Sequence, residues 1–118
     1  MNQTTEQSNL HLTSADRRLH LMPIARIISD AFAGGLHVDE ISQQYIGNCH
    51  YDWDVSRIIF DGDQLVHHWG VWGYPMRLAS AQLKVAGVGA VVTEESYRRR
   101  GLMSKAANAS LSAMKYHG

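Results

Sequence analysis

Three consecutive arginines followed by a glycine form the group in this sequence whose residue types could bind an anion. They are Arg98, Arg99, Arg100 and Gly101. A guanidinium group can pair two phosphate oxygens at once, and a glycine lets a ligand approach the backbone closely. The chemistry that this group favours is the binding of phosphate or pyrophosphate.

The elements on either side of the arginines would position them. Residues 88–93 form an apolar, β-branched run that is typical of a buried strand, and residues 102–115 are typical of a helix. The first N–H groups of a helix have no partner inside the helix, and the helix dipole adds about half a positive charge there. A strand, a basic turn and a helix start therefore predict an anion site at the helix N-terminus.

Two other interpretations of the arginine run are less favoured. Taken alone, such a run is more often a solvated surface turn, but the strand before it and the helix after it favour phosphate binding. Nucleic acid is not an expected partner, because 11 basic and 11 acidic side chains cancel and no basic stripe surrounds the run.

The stretch resembles the acetyl-CoA-binding motif of the GNAT superfamily of N-acetyltransferases. That motif is Gln or Arg, two residues, Gly, one residue, then Gly or Ala, and here Arg98, Gly101 and Met103 occupy the three positions. Met103 departs from the small residue at the last position, although the family makes that contact through backbone N–H groups. The sequence of residues 97–104 most closely resembles that of the branch that includes the enhanced intracellular survival acetyltransferases.

The resemblance implies a fold, a ligand and a reaction. The fold would be α+β, with a mixed, mainly antiparallel sheet flanked by helices. Acetyl-CoA would be the co-substrate, without a metal, and a primary amine would attack its thioester. The pantetheine of acetyl-CoA would lie along the edge of the strand before the loop, and the pyrophosphate of acetyl-CoA would lie on the loop and the helix start. The implied binding residues are Val91, Val92, Thr93, Arg98, Arg99, Arg100, Gly101, Leu102, Met103 and Ser104.

The catalytic groups are not identified by the sequence. Such a reaction needs a base for the amine and an acid for the leaving thiolate. Many family members carry a carboxylate on the strand before the loop, but residues 81–92 contain none and Glu94 lies just beyond. His67 and His68, on a predicted strand, are the other candidates for the base, because an imidazole takes up a proton near neutral pH.

The family's acid, often a tyrosine, comes from a strand and helix that follow the phosphate-loop helix. This sequence ends at Gly118, and Tyr116 does not match that position. We therefore expect residues 10–118 to form the N-terminal two thirds of the fold, truncated after the phosphate-loop helix, with residues 1–9 as a flexible tail. A non-catalytic acyl-CoA-binding or protein-interaction module is the alternative.

Hydrophobic periodicity predicts three helices. The first would end at Gly34 and Gly35 and the second at Gly47 and Asn48, whereas the third is the helix after the arginines. Their predicted buried faces are, in order, Leu21, Ile24, Ile27, Ile28, Ala31 and Phe32; then Val38, Ile41, Tyr45 and Ile46; then Met103, Ala106, Ala107, Leu111 and Met114.

Alternation and turn signals predict the strands. A short strand covers residues 10–12, and residues 55–60 and 65–74 form a hairpin around the Asp61-Gly62 turn. Pro75 is expected to interrupt the second of these strands. A further pair, residues 76–78 and 82–93, follows, and Gly87 and Gly89 predict a bulge or a close backbone approach in the last strand.

The remaining features bound the class of protein. Cys49 is the single cysteine, which excludes an intramolecular disulfide, and no long apolar run or signal-peptide pattern is present. We expect a cytoplasmic protein without a membrane partner. Cys49, His50, His67 and His68 have no trusted zinc spacing, so no metal site is expected. An unpaired strand edge would favour self-association, and a homo-oligomer is therefore expected.

Aromatic residues on the predicted strands have two interpretations. Trp53, Trp69, Trp72 and Tyr74 could line a pocket for the amine acceptor. Aromatic residues on strands are more often part of the core, and that interpretation is favoured.

Overall fold

The computed structural model of the protein describes residues 9–32, 37–47 and 50–117. Its strands are β1 (Leu10–Ser14), β2 (Arg57–Asp61), β3 (Gln64–Leu78) and β4 (Ala81–Thr93). Its helices are α1 (Arg17–Ala31), α2 (Val38–Glu40), which continues as a π-helical segment (Ile41–Gly47), and α3 (Leu102–His117), with a 3₁₀ turn (Glu95–Tyr97) before α3. The expected fold class, α+β with a mainly antiparallel sheet flanked by helices, is confirmed.

The four strands form one antiparallel sheet in the order β1-β2-β3-β4. Gly62, with φ +60°, lies in the predicted turn between β2 and β3, where a left-handed residue is needed. Each strand pairs with the one before it, so β4 lies at an edge of the sheet within the described ranges. The strand that leads to the arginines is therefore unpaired on one side.

The prediction that Pro75 interrupts the strand is wrong, because β3 continues through it to Leu78 and pairs with β4 to the tip of a long hairpin. The reason is the direction of the proline nitrogen. Gly73 donates its N–H to His50 O, on the side of β3 away from β4. The nitrogen two residues later faces the same way, so the missing N–H of Pro75 costs no bond to β4.

The sheet has a hydrophobic cluster on each face, because successive strand residues point to opposite sides. On one face α1 packs with Ile24 and Ile28 against Ile58 and Val92. On the other face α3 packs with Leu102 and Ala106 against the neighbouring strand residues Ile59 and Val66.

The first two helices depart from the predicted faces near their ends. Ile24, Ile27 and Ile28 are buried and Leu21 is half-buried, but Ala31 and Phe32 are exposed at the end of α1. In the second helix Ile41 and Ile46 are buried, Val38 is half-buried and Tyr45 is exposed. An α-helical spacing would place Tyr45 beside Ile41. The π-helical turn instead brings the fifth residue, Ile46, to the same side.

The predicted buried face of α3 is also shifted. Leu102, Ala106 and Ser110 are its buried positions, at a spacing of four. Met103 and Leu111 are each 53% exposed, and Ala107 and Met114 are half-buried. A hydrogen bond from Ser110 Oγ to Val55 O, at 2.6 Å, turns the helix toward this face. A serine carries no apolar signal, so periodicity placed the face one residue away.

Several sequence-based expectations lie outside the described residues. They concern the tail up to residue 8, the helix ends at Gly34, Gly35 and Asn48, the Cys49 thiol, and Gly118. Across the ranges that are described, no helix combines the length and the apolar character needed to cross a membrane.

Candidate functional site

The turn between β4 and α3 presents backbone N–H groups to solvent. Arg99 has φ +67° and Gly101 has φ +75°, so two left-handed residues are separated by one residue. The N–H of Lys105 donates to Gly101 O at 3.1 Å and closes the first turn of α3. The N–H groups of the three residues before Lys105 therefore have no partner within the helix. A turn of this kind forms a concavity that suits an anion.

The three arginines have different environments. Arg98 Nε donates to Thr93 O at 3.2 Å. The Arg100 guanidinium lies 4.9 Å from the centroid of the Tyr97 ring. Among the described residues, Arg99 has no hydrogen-bond or ion-pair partner for its side chain. All three are exposed, so Arg99 is the arginine whose whole guanidinium is open to a ligand.

Tyr97 connects the turn to the sheet. Its hydroxyl donates to the carboxylate of Asp61 at the end of β2, while its ring lies under Arg100. Sequence reasoning did not identify Tyr97 or Asp61 as site residues. The adjacency of an aromatic residue to the arginine run was the available signal, but the partner is 36 positions away.

The edge of β4 ends beside this turn with its carbonyls directed outward. Glu94 N–H donates to Val66 O of β3 at 2.8 Å. The C=O of the same peptide unit, which belongs to Thr93, must therefore point away from β3. Alternation along the strand gives the Val91 carbonyl the same direction. Val92, which is buried, lies between them. This edge therefore offers the backbone groups of Val91 and the N–H of Thr93, whose carbonyl already accepts from Arg98 Nε.

A cleft of about 630 Å³ lies between α1 and the C-terminal end of β4. Its size is in the range of small-molecule sites. Thr93, Glu94 and Arg98 line it, together with Arg26 and Asp30 of α1. Glu94 is half-buried there, and its carboxylate accepts bonds from the N–H of Ser96 at 3.2 Å and from Ser96 Oγ.

His67 and His68, the other two candidates for a base, are fully buried. They are neighbours on β3 and pair with Thr93 and Val92 respectively, so their rings lie on opposite faces of the sheet. His67 Nδ1 is 2.7 Å from Thr93 Oγ1, and Nε2 has no partner among the described residues. Burial lowers the pKa of each imidazole to about 4. The structure brings neither ring to the cleft.

The aromatic candidates divide between core and surface. Trp72 is half-buried against the α1 face of the sheet and donates from Nε1 to Tyr45 O at 2.8 Å. Trp69 packs on the α3 face. Trp53 and Tyr74 line an open groove of about 750 Å³ beside the β3–β4 hairpin. Within the residues that the structure covers, no three metal-ligating side chains come together.

Comparison with known proteins connects this geometry to one family. Residues 21–118 match the sequence profile of the acetyltransferase (GNAT) domain. A comparison with curated proteins found no match.

Three solved structures have folds similar to that of this chain. Glucosamine-6-phosphate N-acetyltransferase from Arabidopsis thaliana has a TM-score of 0.65 at 11% identity, over 92% of this chain and 76% of the other. A predicted acetyltransferase from Clostridium acetobutylicum, solved with acetyl-CoA, has a TM-score of 0.73 at 11% identity, over 92% and 75%. A GCN5-related N-acetyltransferase from Kribbella flavida has a TM-score of 0.65 at 20% identity, over 92% and 28%.

These similarities differ in how much of the other protein they include. The chain spans about three quarters of the first two structures but only 28% of the third. Two further structures, from Enterococcus faecalis and Pyrococcus horikoshii, are covered over 27% and 34% of their length. At these identities the similarities show the fold.

Proposed function

Because this chain belongs to the GNAT acetyltransferase domain family, we propose that it binds acetyl-CoA through β4 and the arginine turn and transfers the acetyl group to a primary amine. One observation carries the proposal. The outward edge of β4 leads directly into a turn with two left-handed residues and the open N-terminus of α3. A long ligand with an amide-containing arm and a pyrophosphate matches that sequence of groups.

The pyrophosphate would bind the N–H groups of residues 99–104. Arg99 would supply the main side-chain contact, since Arg98 and Arg100 are already engaged with Thr93 and Tyr97. Met103 is compatible with this role because its side chain is exposed and its N–H group belongs to the first turn of α3. Gly101 leaves open space, because an added Cβ there would have no heavy atom within 4 Å.

The amide groups of the pantetheine arm would pair with the backbone of β4 at Val91 and Thr93. Val92 would contribute through its packing against α1 rather than by contact with the ligand. The thioester would thereby lie toward the middle of β4. A strand edge recognises an amide-containing chain through main-chain hydrogen bonds, as in the addition of a strand to a sheet.

The reaction would proceed by attack of the amine nitrogen on the thioester carbonyl carbon. A carbon–nitrogen bond forms, the carbon–sulfur bond breaks, and the amine loses a proton while the CoA sulfur gains one. Glu94 lines the open cleft next to Thr93, at the pyrophosphate end of β4 and away from the middle of the strand where the thioester would lie, so it would not take the proton that the amine loses. The buried histidines would support the strand.

A primary amine is the acceptor class that the relatives support. One of the similar structures is named for glucosamine-6-phosphate, an amino sugar phosphate. In this chain, the groove beside Trp53 and Tyr74 also presents Asp52 and Asp54. The carboxylates would attract a cationic amine.

The test is calorimetric titration with acetyl-CoA of the wild-type chain, Gly101→Glu and Gly101→Ala. Both variants place an L-residue at φ +75°, but only the glutamate adds a negative charge where pyrophosphate would lie. We expect binding by the wild type and by the alanine variant, and none by the glutamate variant. Equal affinity of all three proteins for acetyl-CoA would refute the phosphate site. Release of CoA thiol with a panel of primary amines then tests the transfer.

A further inference from the structure

A bulge interrupts β4 where the proposed acetyl-CoA edge begins. His68 pairs with Val92 and Gly70 pairs with Gly89, so one residue of β3 faces two residues of β4, Ala90 and Val91. Ala90 has φ +48°, a left-handed conformation that an alanine rarely adopts. Such a conformation persists when surrounding contacts hold it.

The contact that holds Ala90 is a hydrogen bond to His68. Ala90 O lies 2.7 Å from His68 Nδ1. A carbonyl oxygen can only accept, so Nδ1 carries the proton and Ala90 O receives it. Nε2 of the same neutral ring must then accept, and Tyr51 OH, at 2.7 Å, is its donor. The two partners fix the tautomer of a ring that is fully buried.

The packing around His68 restricts the imidazole to this orientation. The Tyr51 ring lies nearly parallel to the imidazole, with 5.9 Å between centroids and 12° between planes. Gly70 lies close to the ring, since a Cβ there would come within 2.7 Å of His68 Cε1. The imidazole is therefore held by two hydrogen bonds and by the close approach of Gly70 to Cε1.

We infer that His68 is a positioning residue for acetyl-CoA: its Nδ1–H holds the Ala90 carbonyl and thereby sets the β4 bulge that directs Val91 and Thr93 to the ligand edge. The inference rests on the proposed function. One extra residue reverses the facing of every residue beyond it. Without the bulge, Val91 and Thr93 would no longer both direct their carbonyls outward in register with the arginine turn.

The experiment compares His68→Phe with Tyr51→Phe. The phenylalanine at 68 keeps an aromatic ring but has no donor for Ala90 O. Tyr51→Phe is the matched control, because it removes a hydrogen bond from the same buried group but leaves Nδ1–H on Ala90. Each protein is titrated with acetyl-CoA and, separately, with inorganic pyrophosphate, which contacts only the arginine turn.

We expect His68→Phe to bind acetyl-CoA at least tenfold more weakly than the wild type and pyrophosphate within twofold of it. Tyr51→Phe is expected to bind both ligands within threefold of the wild type. An unchanged acetyl-CoA affinity in His68→Phe overturns the inference. So does an equal loss for both ligands, or an equal loss in both variants, because a general loosening of the core then explains the effect.

Nitrogen NMR of the wild-type imidazole tests the same hydrogen bond without relying on a variant that folds. We expect a protonated Nδ1 and an unprotonated Nε2 at neutral pH, with a scalar coupling across the bond to the Ala90 carbonyl. The opposite tautomer overturns the inference. If the wild type binds neither ligand, the proposed function fails, whereas the NMR result still decides whether His68 holds the bulge.

Discussion

The Cε1 atom of the His68 imidazole lies so close to Gly70 that a Cβ on Gly70 would be only 2.7 Å from it. The same Cβ would be 2.7 Å from Trp72 Cζ3 and 2.9 Å from Gly89 O. Gly70→Ala must therefore displace two rings or separate β3 from β4. We expect a loss of about 1–3 kcal/mol in the free energy of unfolding, measured by urea denaturation.

Gly87→Ala is the matched control for this prediction. Gly87 is also paired in the β3–β4 ladder, but a Cβ there would meet only Trp72 O, at 3.8 Å. The expected change is within about 0.5–1 kcal/mol, in the stabilising direction that alanine has over glycine in a strand. Equal destabilisation by both substitutions would contradict the close approach at Gly70.

Burial of His67 and His68 predicts that the fold weakens in mild acid. Burial lowers both pKa values to about 4, from 6.5 in the unfolded chain. Between these pH values the unfolded chain binds more protons than the folded chain. The contribution of the two buried rings to the free energy of unfolding is therefore fully present above about pH 6.5 and is lost as the pH falls toward 4. From pH 7 to pH 5 we expect a loss of at most about 2 kcal/mol for each imidazole, measured by urea denaturation.

Two variants assign that loss to the buried rings. His67→Asn removes one of the two groups and is expected to halve the difference between pH 7 and pH 5. His11→Gln removes an exposed histidine of β1 and is expected to leave the difference as it is. The assignment is wrong if His11→Gln has the larger effect.

The contacts of Tyr97 predict that its ring matters more to ligand binding than its hydroxyl. The ring lies under Arg100, and the hydroxyl reaches Asp61. Tyr97→Phe keeps the cation–π contact, worth about 0.5–1 kcal/mol at an exposed site, whereas Tyr97→Leu removes both contacts. We expect acetyl-CoA affinity to fall less than threefold in Tyr97→Phe and about tenfold in Tyr97→Leu, measured by calorimetry. The same affinity in the two variants would contradict this role of the ring.

Local signals predicted most of the fold. The Asp61-Gly62 turn, the alternating strands and the starts of the helices are encoded by residues close together in sequence. The errors arose where the deciding partner is distant. Pro75 is accommodated because the facing of β3 is set by a bond to His50, and the face of α3 follows Ser110, which reaches Val55.

The candidate site was predictable in part, for the same reason. The arginine turn is continuous in sequence, so the basic turn and the helix start after it were predicted, whereas the left-handed conformation of Arg99 has no sequence signal. A bulge or a close backbone approach was expected at Gly87 and Gly89, and the bulge lies directly after Gly89. Its position at Ala90 depends on His68, 22 residues earlier, which supplies the hydrogen bond there. Periodicity marks a strand face and cannot show which side chain bonds to which carbonyl.

The open edge of β4 predicts self-association of this chain. A strand with unpaired backbone groups pairs readily with a second strand, and β4 lies at the edge of the described sheet. We expect light scattering to show dimers or larger species whose fraction grows with protein concentration and falls when acetyl-CoA is added. A monomer at every concentration would contradict the expected homo-oligomer.

Arg99 is expected to contribute most of the side-chain binding energy for the pyrophosphate. Its side chain has no partner among the described residues, whereas Arg98 donates to Thr93 O and Arg100 lies over Tyr97. Arg99 can therefore bind the pyrophosphate without breaking an existing contact. A charge-assisted hydrogen bond contributes about 1.5–3 kcal/mol, so Arg99→Gln is expected to weaken acetyl-CoA binding by about 10- to 100-fold in calorimetry.

Arg77→Gln is the matched control, since it removes the same charge from the exposed tip of the β3–β4 hairpin. Its acetyl-CoA affinity should stay within about twofold of the wild type, because screening at about 0.15 M salt limits charge effects to about 8 Å. The salt dependence separates the two sites further. Arg99→Gln should bind with a shallower decline in affinity as salt rises, because one fewer cation meets the phosphates, whereas Arg77→Gln should keep the wild-type slope. A parallel loss in both variants would mean that net charge, rather than the turn, attracts the ligand.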